Sequence, residues 1–452
     1  MRSTSGPGHR LLAGIAMMLA FSGATLAQAP SLPTGVVGQH EFLFYRYEMA
    51  QPGDAADTRA TLQLLEKMSR HLAQNGVVLM LVLVPSKMRI YADYLPATLR
   101  LDPYTDGKYD AALQYLRAHQ VNVADLNRAF LQSPLRRSDT PLFLRLDTHW
   151  APSGALLAAQ TVRAALEQSP LARQAWQATP TVNYQLTWAS SKVNKRERDL
   201  VHQLGKPAPE FALEQVLPFK VTREQEHAAG LLQEAELVGI TAIGSSYTDS
   251  TTGYPDALRF ALQRDVLDIS IPVLRGPWVG MENHVQDGSF QRSRPRLLIW
   301  EIPERELRSP PNYRFREPRY ISDNQEWLLR TAAWIQQSCQ SASVQLKPAV
   351  AGGTTMRLEF DPPLQPLDYL QFTLPAQHAR LWQLEAANRL GEKRSWSITV
   401  AEDEQAFDVK LAMPLLPGGV QQLRLQASTA AQAQDFRVCR LPAWLLEGMA
   451  AK

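Results

Sequence analysis

Residues 58–72 carry apolar side chains at helical spacing, and through Asn75-Gly76 they lead into an unbroken apolar run over 77–84. That pattern predicts an amphipathic helix followed by a strand buried on both faces, because a strand with one wet face would alternate. A second unit follows, with a helix over 110–119 and a short strand over 121–126. Another helix is predicted over 154–167, just after Pro152, whose fixed φ and missing N–H suit a first helical turn. Residues 237–243 and 297–300 read as two further buried strands. Helices alternating with apolar strands imply an open, largely parallel α/β sheet.

Beyond Cys339 the period changes to two. Residues 356–360, 395–400, 407–411 and 422–426 alternate apolar with polar and are separated by Gly and Pro turns, which predicts a small all-β sandwich. The domains expected are therefore an α/β body over 37–335 and a β-domain over 339–445. The polar, arginine-bearing stretch 312–325 reads as a surface connection, and no internal repeat is visible.

The first residues have the layout of a cleaved export leader: Arg2 and Arg10, an apolar run over 11–21 and then small residues. Cleavage after Ala27 is expected, giving a leader of 1–27, because a cut after Ala29 would leave Pro30 at the new terminus. The apolar run is too short to span a bilayer, and no other segment looks like an anchor, so no membrane span is expected in the mature chain. Net charge falls from +3 to +1 when Arg2 and Arg10 leave with the leader. A nucleic-acid surface would show a strong basic excess, so nucleic acid is not an expected partner. The two cysteines, Cys339 and Cys439, flank the β-domain, and in an oxidising compartment an even pair reads as a disulfide.

The run over 237–243 leads directly into Gly244-Ser245-Ser246-Tyr247-Thr248. A serine just past the carboxyl end of a buried strand sits where open α/β sheets place their active sites. Gly244 permits a tight turn, and N–H groups beyond it are candidates for holding an oxyanion. The α/β-hydrolase elbow needs glycine where Thr248 stands, which disfavours that fold. Taken alone, Gly-Ser-Ser is also ordinary loop chemistry. The second segment is Leu146-Asp147-Thr148-His149-Trp150. In an extended segment Asp147 and His149 point the same way, so Asp147 can orient His149 as a base toward a serine brought in by another strand. The plainer reading makes Asp147 a helix cap and His149 merely polar.

Taken together these segments resemble the SGNH-like acyltransferases that modify bacterial exopolysaccharides, especially the periplasmic alginate O-acetyltransferases of the AlgX and AlgJ type. The matching strings, in order, are Phe42-Leu43-Phe44-Tyr45-Arg46, Val84-Pro85-Ser86-Lys87, Tyr94-Leu95-Pro96, Asp147-Thr148-His149-Trp150, Gly244-Ser245-Ser246-Tyr247 and Trp300-Glu301-Ile302-Pro303-Glu304-Arg305. Asp and His precede Ser here, the reverse of ordinary SGNH hydrolases, so the motif order is permuted. The resemblance implies an SGNH hydrolase-like domain with Ser246 as nucleophile, Ser245 as the alternative, and His149 and Asp147 completing a triad. Main-chain N–H groups of Ser246 and Tyr247 are the expected oxyanion donors. The C-terminal β-domain favours the AlgX subtype, which looks like an acetyltransferase joined to a carbohydrate-binding module.

The resemblance further implies O-acetylation of an acidic polysaccharide, alginate or polymannuronate, in the periplasm, with an acetyl donor among the other subunits of an export complex. An acetylesterase using the same triad and a noncatalytic polysaccharide-binding scaffold are the rival readings. Arg389, Lys393, Arg394 and Trp396 cluster in sequence; cations can hold uronate carboxylates, and an indole face can stack on a sugar. A solvated hairpin with Trp396 in the core is the structural alternative. Lys87 and Arg89 lie at the functional edge of the sheet, and Lys87 is a further candidate contact. The charge run 192–198 reads as a solvated loop. His202 and His284 lack ligand-like spacing, so neither metal nor cofactor is expected.

Overall fold

Five parallel strands carry the α/β part: β1 Val78–Val84, β2 Asn122–Ala124, β3 Ile240–Gly244, β4 Leu267–Ser270 and β5 Leu297–Pro303. They lie side by side in the order β4-β3-β5-β1-β2, with each neighbouring pair parallel. The computed structural model describes residues 34–205, 211–224, 239–270, 276–352, 354–375, 381–399, 406–429 and 432–449. The leader expected over 1–27 lies outside these residues, as do Leu237 and Val238 of one expected strand and Val400 of another. Among the described residues no helix is long and apolar enough to cross a membrane.

The unbroken apolar run of β1 is needed because its side chains enter two cores in turn. Leu79, Leu81 and Leu83 join one cluster with helices Ala55–Gln74 and Asn324–Ile335, while Met80, Val82 and Val84 join another with helices Pro152–Gln168 and Tyr254–Leu262. A sheet covered on both faces leaves only its strand ends and loops for chemistry.

Several boundaries move for local reasons. The helix expected over 110–119 starts earlier, at Pro103, because the Asp102 carboxylate accepts the N–H groups of Tyr104 and Thr105 and so caps it. The strand expected over 121–126 shortens to Asn122–Ala124, since Asp125 caps the next helix, Leu126–Gln132, by accepting from Arg128 N. Two strand pairs over 184–223 have no counterpart in the sequence pattern. Tyr184–Trp188 pairs with Phe219–Arg223, and Val193–Lys195 with Glu214–Val216, both antiparallel.

The C-terminal part is built from β6 Gln345–Gly352, β7 Thr355–Leu364, β8 Asp368–Pro375, β9 Leu381–Ala387, β10 Lys393–Thr399, β11 Ala406–Ala412, β12 Val420–Ala427 and β13 Gln434–Arg440. They form two antiparallel sheets, ordered β6-β7-β12-β9-β10 and β11-β8-β13. Leu358, Leu384 and Leu423 from one sheet meet Leu370, Phe372 and Val409 from the other in a single apolar cluster. Cys339 and Cys439 form a disulfide with their Cα atoms 5.1 Å apart.

The same cluster continues into the face of the α/β sheet that helix Asn324–Ile335 covers. Buried ammonium groups tie the two parts. Lys410 Nζ donates to Gln336 O at 2.7 Å, and Lys67 Nζ donates to the carbonyls of Trp444 and Glu447 at 2.9 and 2.8 Å.

Candidate active site

The carboxyl ends of β1, β3 and β5 converge on one edge of the sheet. Gly244 ends β3, Ser245 caps the following 3-10 turn, and Ser246–Thr248 form that turn. Gly244 is needed for room rather than for an unusual backbone angle. A Cβ there would lie 2.2 Å from Thr248 Oγ1 and 2.4 Å from a carboxylate oxygen of Glu301 on β5.

The Asp-Thr-His segment sits in a loop closed by a bridge between Phe143 and Trp150 and by Leu144 N–H donating to His149 O at 3.0 Å. It is bent rather than extended, because Asp147 Oδ1 accepts both the main-chain N–H of His149, at 2.9 Å, and its Nδ1, at 2.6 Å. One carboxylate oxygen thereby fixes both backbone and ring, as an Asx-turn does. His149 Nε2, on the far side of the ring, lies 2.7 Å from Ser246 Oγ. With Nδ1–H donated to Asp147, Nε2 presents its lone pair to the serine hydroxyl.

Asp147 is buried, which alone would raise its carboxyl. Hydrogen bonds from the His149 ring, the charge of that ring and the N–H groups of His149 and Asp199 outweigh burial and hold the carboxyl well below the usual range. Asp199 N–H donates to Asp147 Oδ2 at 3.0 Å, and the Asp199 carboxylate accepts Thr148 N–H at 2.8 Å and Thr148 Oγ1–H at 2.6 Å. Burial and the neighbouring Asp147 charge push the Asp199 carboxyl up. Ligand atoms of Asp147, His149 and Asp199 all lie within 4.8 Å of one another, a spacing that suits a cation. The carboxylate oxygens already accept N–H or O–H donors, so the set is arranged as a hydrogen-bonded relay.

Behind the Ser246–Thr248 turn lies Glu301, fully buried in β5. Its carboxylate accepts Ser245 N–H at 2.7 Å, Ser245 Oγ–H at 2.9 and 3.1 Å and Thr248 Oγ1–H at 3.1 Å. Burial pushes the carboxyl up to about 7, against the pull of those donors and of the Arg305 charge. Tyr247 packs its ring 4.9 Å from that of His149 and 5.1 Å from that of Trp150. In front of the turn a cleft of about 460 Å³ exposes Ser246 and His149 between Leu144, Val193, Lys195, Val216 and Thr251.

A family profile described as "ALGX: SGNH hydrolase-like domain, acetyltransferase AlgX" matches residues 36–304, which is more than half of the sequence. The chain belongs to the AlgX family of SGNH hydrolase-like domains. It is 28% identical over 299 residues to a protein named probable alginate O-acetylase AlgJ of Pseudomonas putida, covering 64% of this chain and 74% of that protein. It is 25% identical over 309 residues to the alginate biosynthesis protein AlgX of the same species, covering 64% of this chain and 59% of that protein. Among solved structures, the O-acetyltransferase domain of Pseudomonas putida AlgJ matches with a TM-score of 0.54 at 24% identity, over 66% of this chain and 99% of that domain. Pseudomonas aeruginosa AlgX matches with a TM-score of 0.60 at 14% identity, over 90% of this chain and 95% of that one. At those identities the two structures speak for the fold, and the AlgX match extends through the β-rich part.

Within this member of the AlgX family, three sequence expectations change. Ser245, the alternative nucleophile, is buried with its hydroxyl held by Glu301, so it faces away from His149. Tyr247 N–H, an expected oxyanion donor, instead donates to Ser245 Oγ at 3.2 Å, because Ser245 caps the turn. Lys87, expected to touch polymer, is fully buried. Its Nζ donates to Arg145 O at 2.9 Å and Asp147 O at 3.0 Å, which braces the histidine loop from beneath. Burial lowers the Lys87 ammonium to about 8 against the pull of the surrounding Glu214, Glu48, Asp147 and Asp199 carboxylates.

The basic cluster of the β-domain is divided between two faces. By strand alternation Arg394 and Trp396 share one face of the edge strand β10, and both border a cleft of about 1250 Å³ together with Arg319 and Tyr320. Lys393 belongs to the opposite face and pairs with Glu385 at 2.9 Å. Arg389 lies in the preceding turn and donates to Gln421 at 2.7 Å.

Sequence reasoning passed over Asp199 and Glu301. A glutamate inside the otherwise apolar β5 was the available signal for Glu301. The run 192–198 is partly solvated as expected, yet it brings Lys195, Glu197 and Arg198 to the rim of the cleft in front of Ser246 and His149.

Proposed function

We propose that this protein transfers acetyl groups to hydroxyls of an acidic exopolysaccharide through an acetyl-Ser246 intermediate. The hydrogen-bonded series Ser246 Oγ, His149 Nε2, His149 Nδ1 and Asp147 Oδ1 carries this reading. His149 removes the Ser246 proton as Oγ attacks the acetyl carbonyl, and it returns that proton to the leaving group of the donor. A sugar hydroxyl then loses its proton to His149 and attacks the acetyl ester. Ser246 Oγ leaves and regains a proton from the imidazolium. Asp147, kept ionised by its donors, steadies the imidazolium that forms in each half-reaction. Ser246 N–H is the main-chain donor proposed for the oxyanion, since Tyr247 N–H is engaged elsewhere.

The relatives' names, which speak of alginate O-acetylation and alginate biosynthesis, support alginate or polymannuronate as the acceptor. The export-leader layout of residues 1–27 supports action in the periplasm, where an acetyl donor would come from another subunit of an export complex. The division of labour proposed is a transferase body over 37–335 and a polymer-holding β-domain over 339–445.

The test is acyl transfer from an artificial acetyl ester to mannuronate oligosaccharides. Ser246→Ala and His149→Ala should lose both ester cleavage and transfer, at least about 1000-fold, and Asp147→Ala should be severe but incomplete, since it acts through His149. Mass spectrometry should place the trapped acyl group on the peptide holding Ser246. Full activity in Ser246→Ala would end this reading, and cleavage without transfer to any acceptor would mark an esterase.

A further inference from the structure

Glu301 is a carboxylate in a strand whose other residues are buried and almost all apolar. Alternation along β5 sends Leu298, Trp300 and Ile302 into one core, so Glu301 shares the opposite face with Leu297 and Ile299, the face that bears the nucleophile turn. Among the described residues no cation forms an ion pair with it. Leaving a carboxylate in such a place is unfavourable unless hydrogen bonds satisfy it. It is satisfied by donors drawn wholly from the segment that carries Ser246: Ser245 N–H, Ser245 Oγ–H and Thr248 Oγ1–H.

We propose that Glu301 is the positioning residue of the nucleophile, holding the Ser245–Thr248 turn so that Ser246 Oγ faces His149. This rests on the reading of Ser246 as nucleophile. The residue acts through its neighbours. Because Ser245 gives its hydroxyl hydrogen to Glu301, its Oγ is left to accept Tyr247 N–H at 3.2 Å, which closes the turn. Ser245 and Ser246 are adjacent on that turn, and fixing one hydroxyl inward against Glu301 directs the other outward to His149 Nε2, 2.7 Å away. In its ionised form a carboxylate suits this place because it only accepts. A carboxamide would bring an NH2 donor against the Ser245 and Thr248 donors. The carboxylate also lies where a Cβ on residue 244 would be, so the glycine and the glutamate serve one arrangement.

The experiment compares the full chain with Glu301→Gln, Ser245→Ala, Thr248→Val and the Glu301→Gln/Ser245→Ala double variant. It follows p-nitrophenyl acetate turnover and the rate at which a fluorophosphonate modifies Ser246, with thermal unfolding as the check on folding. Glu301→Gln should lower kcat and the modification rate by roughly 30-fold or more while KM stays within about twofold, because a small misplacement of the nucleophile is felt mainly in the chemical step. Ser245→Ala should lower kcat about fivefold alone and add almost nothing in the Glu301→Gln background, the non-additivity expected of one network. If folded Glu301→Gln keeps wild-type kcat and modification rate, the proposal is wrong. Should Glu301→Gln not fold, wild-type rates in both Ser245→Ala and Thr248→Val would overturn it equally. Failure of the wild-type chain to be modified at Ser246 would instead strike the nucleophile reading itself, and this proposal with it.

Discussion

Tyr247 donates its phenolic hydrogen to the carbonyl oxygen of Thr148 at 2.6 Å, tying the Ser246–Thr248 turn to the loop that carries His149 across 99 positions of sequence. The ring is clamped between His149 and Trp150, with the Arg305 guanidinium 5.6 Å from its centre. Tyr247→Phe keeps the ring and leaves a buried carbonyl without that donor, which should cost about 1–3 kcal/mol of stability. Loosening the distance between Ser246 and His149 should also lower ester turnover about tenfold. Thermal unfolding and initial rates read both effects, and an unchanged kcat would show that the two segments hold their spacing without this bond.

Acid should weaken the fold through two histidines. Burial pushes both His71 and His284 down to about 4 from the ordinary 6.5, and neither ring nitrogen of His284 has a hydrogen-bond partner among the described residues. The folded chain therefore refuses protons that the unfolded chain accepts below about 6.5. Stability is complete above that value and falls as pH drops toward 4, by up to roughly 1.4 kcal/mol per pH unit for each histidine. His284→Phe should flatten the decline between pH 6.5 and 4; melting curves that stay parallel to the wild type would rule this histidine out.

The Cys339–Cys439 bond closes a loop spanning 100 residues around the β-domain. In the chain-entropy picture, opening such a loop costs up to about 4–5 kcal/mol. The Cys339→Ser/Cys439→Ser double variant should unfold at clearly lower denaturant, and nonreducing peptide mapping of the full chain should recover the two cysteines joined. Free thiols there would contradict the bond.

For polymer retention the two faces of β10 make a sharper expectation than the sequence cluster did. Arg394→Ala should weaken retention on immobilised alginate several-fold, about 1 kcal/mol for a lost exposed cation, and Trp396→Ala should do so too, although its half-buried ring also packs against the apolar cluster of the β-domain. Lys393→Ala should do less, since its ammonium already meets Glu385. Added salt should weaken binding further by screening the charge contacts. Equal retention by all three variants would make the cluster structural.

The central strands were legible in the sequence because strands covered on both faces are almost wholly apolar, whereas the half-exposed edge strand β4, with Asp268 and Ser270, carries no such run and was not foreseen. An apolar run such as 77–84 is too short to span a bilayer and too uniform for a helix with one wet face. The sandwich was legible for the complementary reason that one wet face forces alternation. Asp147 and His149 were legible as a pair because two positions of chain keep them together whatever the fold does. Helix starts at Pro103 and Leu126 were less so, since capping by Asp102 and Asp125 depends on which backbone N–H groups each carboxylate meets.

The roles of neighbouring residues were decided elsewhere. Ser245 and Ser246 are the same residue type at successive positions, and only the approach of Glu301 from β5 turns one hydroxyl inward and leaves the other for His149. Lys87 looks like any cation at a sheet edge until the histidine loop folds over it and its ammonium finds two carbonyls instead of solvent. A side chain's partners at this edge come from β1, β3, β5 and two long loops, segments far apart in the chain. Local pattern records how each segment is buried. Which donor meets which acceptor is settled only when the strand ends are brought to the same edge, because hydrogen bonds act over about 3 Å and have direction.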